Sequence, residues 1–458
     1  MKERPIVIVS NRGPVSFRLD ADGRPEAHRG AGGLTSGLGP LVRDTETLWI
    51  AAALTEGDSV VAGDGVVDAD GFRVRLLAFD AETLTHHYDS VCNEALWFVH
   101  HGLFDPVYAP AWAPGWVDGP WAAHRRVNEA FAEAVAAEAP ADAVVLIQDY
   151  HLCLLAPSLR ERRPDLRLVH FSHTPFATPL LARMLPDQVR RELLDGLAAH
   201  HACGFHTARW AADFRACCDD ASTAVPTTFV SPLGTDADDL ESTLASEAAR
   251  AAGDDLDRMV GDRSFLVRVD RLELSKNVLR GFDAYEALLD ARPDLHGRVV
   301  FGAFLYPSRT GVADYDRYRE AVERRVEEIN SRLGSADWTP VEYDPHDDYP
   351  RSMAALARAD VVLVNPIRDG LNLVAKEAMI VNRRHGQLVL SREAGAWDEL
   401  GDAAWGVDPF DVGATADALA SALTVDESEG RRRAEALARV ARGRTPGDWL
   451  QAQLEAAD

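Results

Sequence analysis

The sequence predicts an α/β protein of two doubly wound, Rossmann-like lobes. Three observations carry this expectation. Short apolar runs alternate with helix-favouring stretches from Ala143 to Ser231, which is how repeated βα units over a parallel sheet read. The run Pro232-Leu-Gly-Thr-Asp-Ala-Asp-Asp239 then breaks the alternation and reads as an interdomain linker. A second βα series begins after it, with strands over Phe265–Val269, Val299–Phe304, Val341–Asp344, Val361–Val364 and Gln387–Leu390. The domains that follow are 1–233 and 234–439, with a C-terminal helix over 440–458 returning to the first. Two such lobes predict a deep cleft lined by strand C-termini.

In chain order, Pro5–Ser10 reads as a buried parallel strand, followed by Asn11-Arg12 and a polar, hairpin-like insertion from Asp20 to Arg29. The cluster Gly30-Ala-Gly-Gly-Leu-Thr-Ser-Gly-Leu38 leads into a helix. It is not a dinucleotide fingerprint, because Thr35 stands where the last glycine belongs, but it permits close backbone approach to a ligand. Strands follow at Leu48–Ala52 and Val74–Phe79, then a helix over Thr83–Leu96. Strands Ala143–Gln148, Arg167–Ser172, Cys203–His206 and Thr227–Ser231 alternate with helices at Leu154–Arg163, Asp187–Ala199 and Ala208–Cys217. Beyond the linker the clearest helix is Asp314–Leu333, and the chain closes on Thr415–Leu423 and Glu427–Ala456.

The 458 residues suffice for two or three cores, and 47% apolar with 26% charged residues is ordinary for a soluble globular chain. A net charge of −25 argues against nonspecific binding to nucleic acid or anionic membranes, so any phosphate site must be built locally. Lysine occurs only at Lys2, Lys276 and Lys376, and two of these fall inside the motifs below. The five cysteines show no CxxC spacing, which fits reduced thiols and a cytoplasmic protein. Ile6–Val9 is too short for a signal segment, and no window reaches transmembrane length. A homo-oligomer is left open.

The stretch Val362–Glu377 carries the most chemistry. An apolar strand ends in the turn Pro366–Gly370 and gives way to a helix, so the amides of Gly370, Leu371, Asn372 and Leu373 would face an anion. Asp369 opens the turn and Glu377 lies roughly two helical turns on; an Asp N-cap on an ordinary helix reads the same residues. Arg271-Leu-Glu-Leu-Ser-Lys276 follows the strand Phe265–Val269, and two cations there can neutralise a diphosphate, although a surface Arg–Glu–Lys cluster has the same spelling. Asp149 and His173 end the neighbouring strands Ala143–Gln148 and Arg167–Ser172, placed to bind a sugar hydroxyl or to move a proton. His86, His87, His100 and His101 form doublets without the spacing of a metal site, so no metal is assigned. Arg12, Tyr88, Trp97 and Arg309 are scattered, and spacing alone cannot bring them together.

Taken together and in order, these motifs resemble the trehalose-6-phosphate synthase family of retaining nucleotide-sugar glycosyltransferases, with the GT-B fold. The resemblance runs from Ile6 to Trp449 and rests on Ser10-Asn-Arg12, Gly32-Gly33-Leu34, Asp149-Tyr-His-Leu, His173-x-Pro-Phe, Arg271-x-x-x-Ser-Lys276, Ser308-Arg309 and Arg368-Asp-Gly-x-Asn-Leu-Val-Ala-Lys-Glu377. It implies that Arg271 and Lys276 hold the donor diphosphate. Asp369 and the amides after it would hold the donor glucose, Glu377 the ribose, and Gly33 would lie against the donor. Arg12, Tyr88, Trp97 and Arg309 would form the pocket for glucose 6-phosphate. Asp149 would bind the acceptor, and His173 would contact the donor sugar near the reacting centre. His173, Asp149, Arg271 and Lys276 are thus the catalytic set, and no cofactor is implied because the nucleotide-sugar is a substrate.

Three departures stand out. Asn277 follows Lys276 where many relatives carry glycine, and Asn365 precedes Pro366 where threonine is common. His346-Asp-Asp348-Tyr occupies the region facing the base, and a carboxylate at Asp348 suits guanine, so GDP-glucose is expected over UDP-glucose. The nearest alternative is a pseudo-glycosyltransferase joining a GDP-cyclitol to an aminocyclitol phosphate. A non-catalytic sugar-phosphate sensor would have lost motif residues that this chain keeps, and an oxidoreductase would need the missing dinucleotide fingerprint.

Overall fold

Near-continuous apolar strands such as Val-Val-Leu-Ile-Gln, buried at every position, can only sit in a parallel sheet covered on both faces. Two such sheets form the protein. The computed structural model describes residues 4–30, 33–308 and 313–458, without the side chains of Arg29, Gly33 and Ser36. The chain divides into two compact units, Met1–Leu233 with Pro446–Asp458, and Gly234–Thr445.

The first unit contains β1 (Ile6–Ser10), β2 (Val15–Leu19), β3 (Pro25–Arg29), β4 (Leu48–Ala52), β5 (Val66–Ala69), β6 (Phe72–Leu77), β7 (Val144–Gln148), β8 (Arg167–Ser172), β9 (Ala202–Phe205) and β10 (Thr227–Val230). Eight strands make one sheet in the order β10-β9-β8-β7-β1-β4-β6-β5, and β2 with β3 forms a separate antiparallel hairpin. Every neighbour in the large sheet is parallel except β5 beside β6. The chain leaves β1 towards β4 and β6, then returns to pair β7 on the other side of β1. The strand order therefore reverses between β1 and β7, and that is where an open α/β sheet leaves a crevice at its carboxyl ends.

The second unit contains β11 (Ser264–Leu272), β12 (Val299–Pro307), β13 (Val341–Asp344), β14 (Val361–Val364), β15 (Gln387–Ser391) and β16 (Trp405–Val407). Its order β13-β12-β11-β14-β15-β16 is wholly parallel and reverses between β11 and β14. Phe265, Leu266, Val267, Val362, Leu363 and Leu388 are sealed in its core.

Several elements differ from the sequence expectation. The helix expected over Thr83–Leu96 starts as α-helix at Ala81–Leu84, runs as a π-helix over Thr85–Leu96 and continues as α-helix through Trp97–His101. Its buried residues are His87, Val91, Cys92, Asn93, Ala95 and Leu96, and its end closes in the wider turn, the Trp97 amide donating to the Cys92 carbonyl five residues back. Helix Ala122–Glu138 carries no sequence assignment, although Val127, Phe131 and Val135 recur every fourth residue along its buried face. The single helix expected over Glu427–Ala456 is two, Glu427–Ala441 and Pro446–Glu455, because Gly443 and Pro446 punctuate it. The short strands β5 and β16 were too brief to read. All five cysteines are buried and unpaired with one another. Among the described residues no helix is long and apolar enough to cross a membrane.

The reversal point of the second sheet is held by Arg268, which has no exposed surface. Its Nη1 donates to Asn365 Oδ1 (2.9 Å), its Nε to Asp270 (3.1 Å), and its Nη2 to the Lys276 carbonyl. Room for the guanidinium comes from Gly281, where a Cβ would lie 2.6 Å from Nη1. Gly281→Ala should therefore lower stability by about 1–3 kcal/mol despite alanine's better helix propensity. Gly253, also mid-helix but with nothing within 4 Å, is the control: Gly253→Ala should gain roughly 0.5–1 kcal/mol. Denaturant midpoints read both.

Candidate functional site

In the second unit, β11 and β14 deliver their C-terminal residues to the reversal point side by side. Lys276 Nζ lies 2.7 Å from Asp369 and 3.7 Å from Asp270. Burial opposes the ammonium, but the carboxylates of Asp369, Asp270 and Glu273 outweigh it and push the lysine pKa up. Asp270 is pushed up by burial, against the pull of Arg268 and Lys276. The ammonium is thus kept charged beyond the end of β11 by the same carboxylates it pairs with. Arg271 is half-exposed and pairs with the buried Glu273 at 3.0 Å, which also accepts from Ser308 Oγ (3.0 Å).

Asp369 is not the helix cap. The helix Leu373–Val381 begins one residue after Asn372, which sits at φ +75° and accepts from the Ala375 amide through its side chain. Asp369 is left to Lys276 and to Asn372 Nδ2 (3.1 Å), with the Leu371 amide 3.4 Å away. Its backbone is tied on both sides, to the Glu393 carbonyl (3.1 Å) and the Gly395 amide (3.0 Å). The amides of Asn372 and Leu373 donate to nothing among the described residues, so the anion-facing helix start read from Gly370–Leu373 has this local form.

The two departures at Asn277 and Asn365 prove to be one feature. Asn277 has φ +59°, a left-handed conformation that glycine or asparagine adopts most readily. Its Nδ2 donates to the Asn365 carbonyl (3.0 Å) and the Pro409 carbonyl (2.7 Å), and Asn365 Nδ2 reaches back to the Asn277 carbonyl (3.4 Å). Asp348 is exposed and caps helix Tyr349–Arg358, its Oδ1 accepting from the Arg351 amide at 2.9 Å. Glu377 is partly buried, and its carboxylate accepts no hydrogen bond among the described residues. Burial, then Asp239, pushes its carboxyl up to about 7.

In the first unit, β1 and β7 supply the residues of the reversal point. Arg12 follows β1 and donates to Tyr88 Oη at 3.1 Å. The Tyr88 ring stacks on His151 (6.0 Å between centroids), His151 on Tyr150 (4.1 Å), and Tyr150 leans on the buried Trp97 (6.0 Å). Arg12, Tyr88 and Trp97 thus belong to one aromatic ladder, while Arg309 lies outside the described residues. Gly33 opens helix Gly33–Val42 in this same unit.

Asp149 follows β7 at φ +70° and ψ 169°, a region that side-chain-bearing residues rarely enter. The surroundings over-determine it: its amide donates to the Phe171 carbonyl (2.7 Å), its own carbonyl lies 3.1 Å from His170 Nε2, and its Oδ1 accepts from the His173 amide (3.2 Å). His173 is in turn locked by a chain of directed bonds. The Leu233 amide can only donate, so His206 Nδ1 accepts (3.3 Å) and His206 Nε2–H donates to His173 Nδ1 (3.3 Å). His173 Nε2–H then donates to Gln148 Oε1 (3.0 Å), and Gln148 Nε2 to Gln453 Oε1 (2.9 Å) in the C-terminal helix. Burial pushes the His173 imidazole down to about 3, so it is neutral with both ring nitrogens engaged. It can position a ligand, but it is not a free proton carrier.

Sequence spacing missed one buried group altogether. His87 meets His124, 37 residues on, with their Nδ1 atoms 2.9 Å apart, and Cys92 Sγ lies 3.8 Å from the same His124 nitrogen. The doublet His86-His87 does not signal this, because the second histidine comes from the unassigned helix Ala122–Glu138.

A model described as glycosyltransferase family 20 matches residues 4–458. A bifunctional trehalose-6-phosphate synthase/phosphatase of Thermoproteus tenax is 33% identical over 97% of this chain, which spans 62% of that relative's length. A trehalose-6-phosphate synthase of Mycobacterium sp. (strain KMS) is 33% identical over 98% of this chain and 94% of its own. The solved structure "Trehalose-6-phosphate from E. coli bound with UDP-2-fluoro glucose" matches with a TM-score of 0.86 at 27% identity, covering 99% of this chain and 98% of its own. That of a UDP-forming alpha,alpha-trehalose-phosphate synthase from Burkholderia xenovorans in complex with glucose-6-phosphate matches with a TM-score of 0.82 at 27% identity, covering 99% of each.

Two tests follow from the geometry. Asp149→Gly should be more stable than Asp149→Ala by about 1–2 kcal/mol, since only glycine relieves the backbone, while both lose the carboxylate; equal denaturant midpoints would refute the strain. Glu377 ionises near pH 7 when folded and near 4.5 when unfolded, so the folded state holds the extra proton between those values. Stability should accordingly fall as pH rises through that window, by at most about 3 kcal/mol, and Glu377→Gln should flatten the slope in thermal melts.

Proposed function

The chain belongs to glycosyltransferase family 20 and is a glycosyltransferase; from that premise we propose that it joins glucose from a nucleoside-diphosphate glucose to C1 of glucose 6-phosphate, giving α,α-trehalose 6-phosphate with retention at the donor carbon. The fold is GT-B. What supports the reading most is the pairing of Lys276 with Asp369 at the reversal point of the second sheet, since these are the residues that the resemblance assigns to the donor diphosphate and glucose. Arg12, Tyr88, Trp97 and Asp149, assigned to the acceptor, gather around the reversal point of the first.

In this mechanism Arg271 and Lys276 bear the charge that grows on the departing diphosphate. The Asp369 carboxylate and the amides after it orient the donor sugar. Glu377 accepts from the ribose hydroxyls, and Asp149 and the Arg12–Tyr88 pair orient the acceptor. Departure and attack take place on the same face of the sugar, without a protein nucleophile, and the leaving phosphate takes the acceptor proton. The engaged, neutral ring of His173 supports that division, because it leaves His173 to position the donor sugar rather than to exchange protons.

The donor base is the finer point. We propose GDP-glucose, read at Asp348, whose Oδ1 caps a helix and whose Oδ2 carries no bond among the described residues. UDP-glucose is the second reading, favoured by the UDP-forming relative in complex with glucose-6-phosphate. Protein mixed with glucose 6-phosphate and GDP-, UDP- or ADP-glucose should release nucleotide and yield trehalose 6-phosphate by mass spectrometry. Faster turnover of GDP-glucose that is lost in Asp348→Ala supports the base assignment. An unchanged preference in that variant, or a native preference for UDP-glucose, refutes it and keeps the synthase. No product from any donor, in protein that still binds nucleotide, refutes the synthase and points to cyclitol coupling. Lys276→Ala should cost roughly 100- to 1,000-fold in kcat with the fold intact.

A further inference from the structure

The π-helix Thr85–Leu96 brings together side chains to which the transfer reaction gives no role. Residues five apart lie roughly 140° round an α-helix, on different faces. The wider π-turn, closed by i→i+5 bonds, reduces that to roughly 50° and brings them to one side of the helix. His87 and Cys92 are five apart and both point to His124 on helix Ala122–Glu138. All three side chains are fully buried, and their ligand atoms lie within 4.8 Å of one another.

We propose that His87, Cys92 and His124 form a binding site for a thiophilic divalent cation, with Zn²⁺ the ion their chemistry fits. The donors are two imidazoles and a thiol with no carboxylate, which disfavours Mg²⁺ and Ca²⁺ and favours zinc. Two nitrogens each about 2.0 Å from one zinc ion lie roughly 2.9–3.4 Å apart, and a nitrogen and a sulfur roughly 3.6 Å. The separations from His124 Nδ1 are 2.9 Å to His87 and 3.8 Å to Cys92, and all three ligand atoms lie within 4.8 Å of one another, so a movement of up to about an ångström, chiefly of Cys92 towards His87, admits the ion. Without metal, one hydrogen is shared between the two Nδ1 atoms. Binding requires it to move to Nε2 of the same ring, freeing both Nδ1 lone pairs, and the Cys92 thiol releases its proton to solvent as the S–metal bond forms. A non-protein ligand completes the tetrahedron.

The site's place in the fold suggests what it steadies. His87 Nε2 lies 3.4 Å from Asn11 Oδ1, and the residues next in sequence, Tyr88 and Arg12, are the hydrogen-bonded pair of the first reversal point. An ion at the cluster would fix His87, and with it the backbone that carries Tyr88. The role is structural and holds whatever the transfer reaction proves to be.

Untagged protein, dialysed without chelator, should retain one zinc ion per chain by elemental mass spectrometry. Apo-protein titrated with Co²⁺ should develop a near-ultraviolet thiolate-to-cobalt charge-transfer band. Cys92→Ser should lose the band and weaken retention roughly tenfold or more. Absence of both retained zinc and the band in the native protein overturns the proposal. So does an undiminished band in Cys92→Ser, because the metal would then sit on another cysteine. Should the variant fold poorly, thermal melts of the native protein decide: a rise in Tm with Zn²⁺ over a chelator control, not reproduced by Mg²⁺, supports the site, and no rise counts against it.

Discussion

A guanidinium sealed from water is costly unless every donor is used, and Arg268 is the residue on which the donor-side architecture depends. From the middle of β11 it ties that strand to Asn365, just after β14, and to the Lys276 carbonyl beyond β11. Those contacts set the distance between the two loops that carry Lys276 and Asp369. The charges close locally: Arg268 faces Asp270, and Lys276 faces Asp369 with Asp270 behind it. A chain of net charge −25 needs such local construction, because its overall field repels the phosphates that the site is proposed to bind. Gly281 belongs to the same design, since any larger residue would press on the guanidinium from the facing helix.

The first unit achieves rigidity by a different route. Instead of charge it uses directional bonds and a strained backbone. Asp149 is held in a glycine-like conformation by Phe171 and His170 on β8 and by His173 just beyond its end. A histidine whose two nitrogens are committed to His206 and Gln148 cannot rotate or titrate freely. The final partner, Gln453, lies in the C-terminal helix, and Trp449 of that helix packs on Phe171 and His173. The last helix of the chain is therefore part of what holds the Asp149–His173 pair in place.

How far the sequence reveals this depends on whether the residues concerned are neighbours along the chain. Strands of parallel sheets announce themselves as unbroken apolar runs, and the motifs at their ends are contiguous, so the two-sheet α/β fold and the groups around Lys276, Asp369 and Asp149 could be read directly. Arg12 and Tyr88 are 76 residues apart and meet only because β1 and the π-helix converge, which no spacing rule encodes. The π-helix itself was invisible to a search for a 3.6-residue period, and with it the His87–Cys92–His124 cluster. Helix Ala122–Glu138 did carry a legible pattern in Val127, Phe131 and Val135, masked by the polar residues between them.

Departures from a family pattern are easily taken one at a time, as two separate weakenings of a donor site. Asn277 and Asn365 show why that inference fails here. A residue at φ +59° is glycine's place, and asparagine can take it at modest cost if its amide is used. Here the amide bonds two carbonyls, one of them that of Asn365, whose own side chain serves Arg268. Each replacement supplies what the other needs, and both feed the guanidinium that fixes the Lys276–Asp369 distance. The pair is therefore a local rebuilding of the same support, with the binding groups themselves retained.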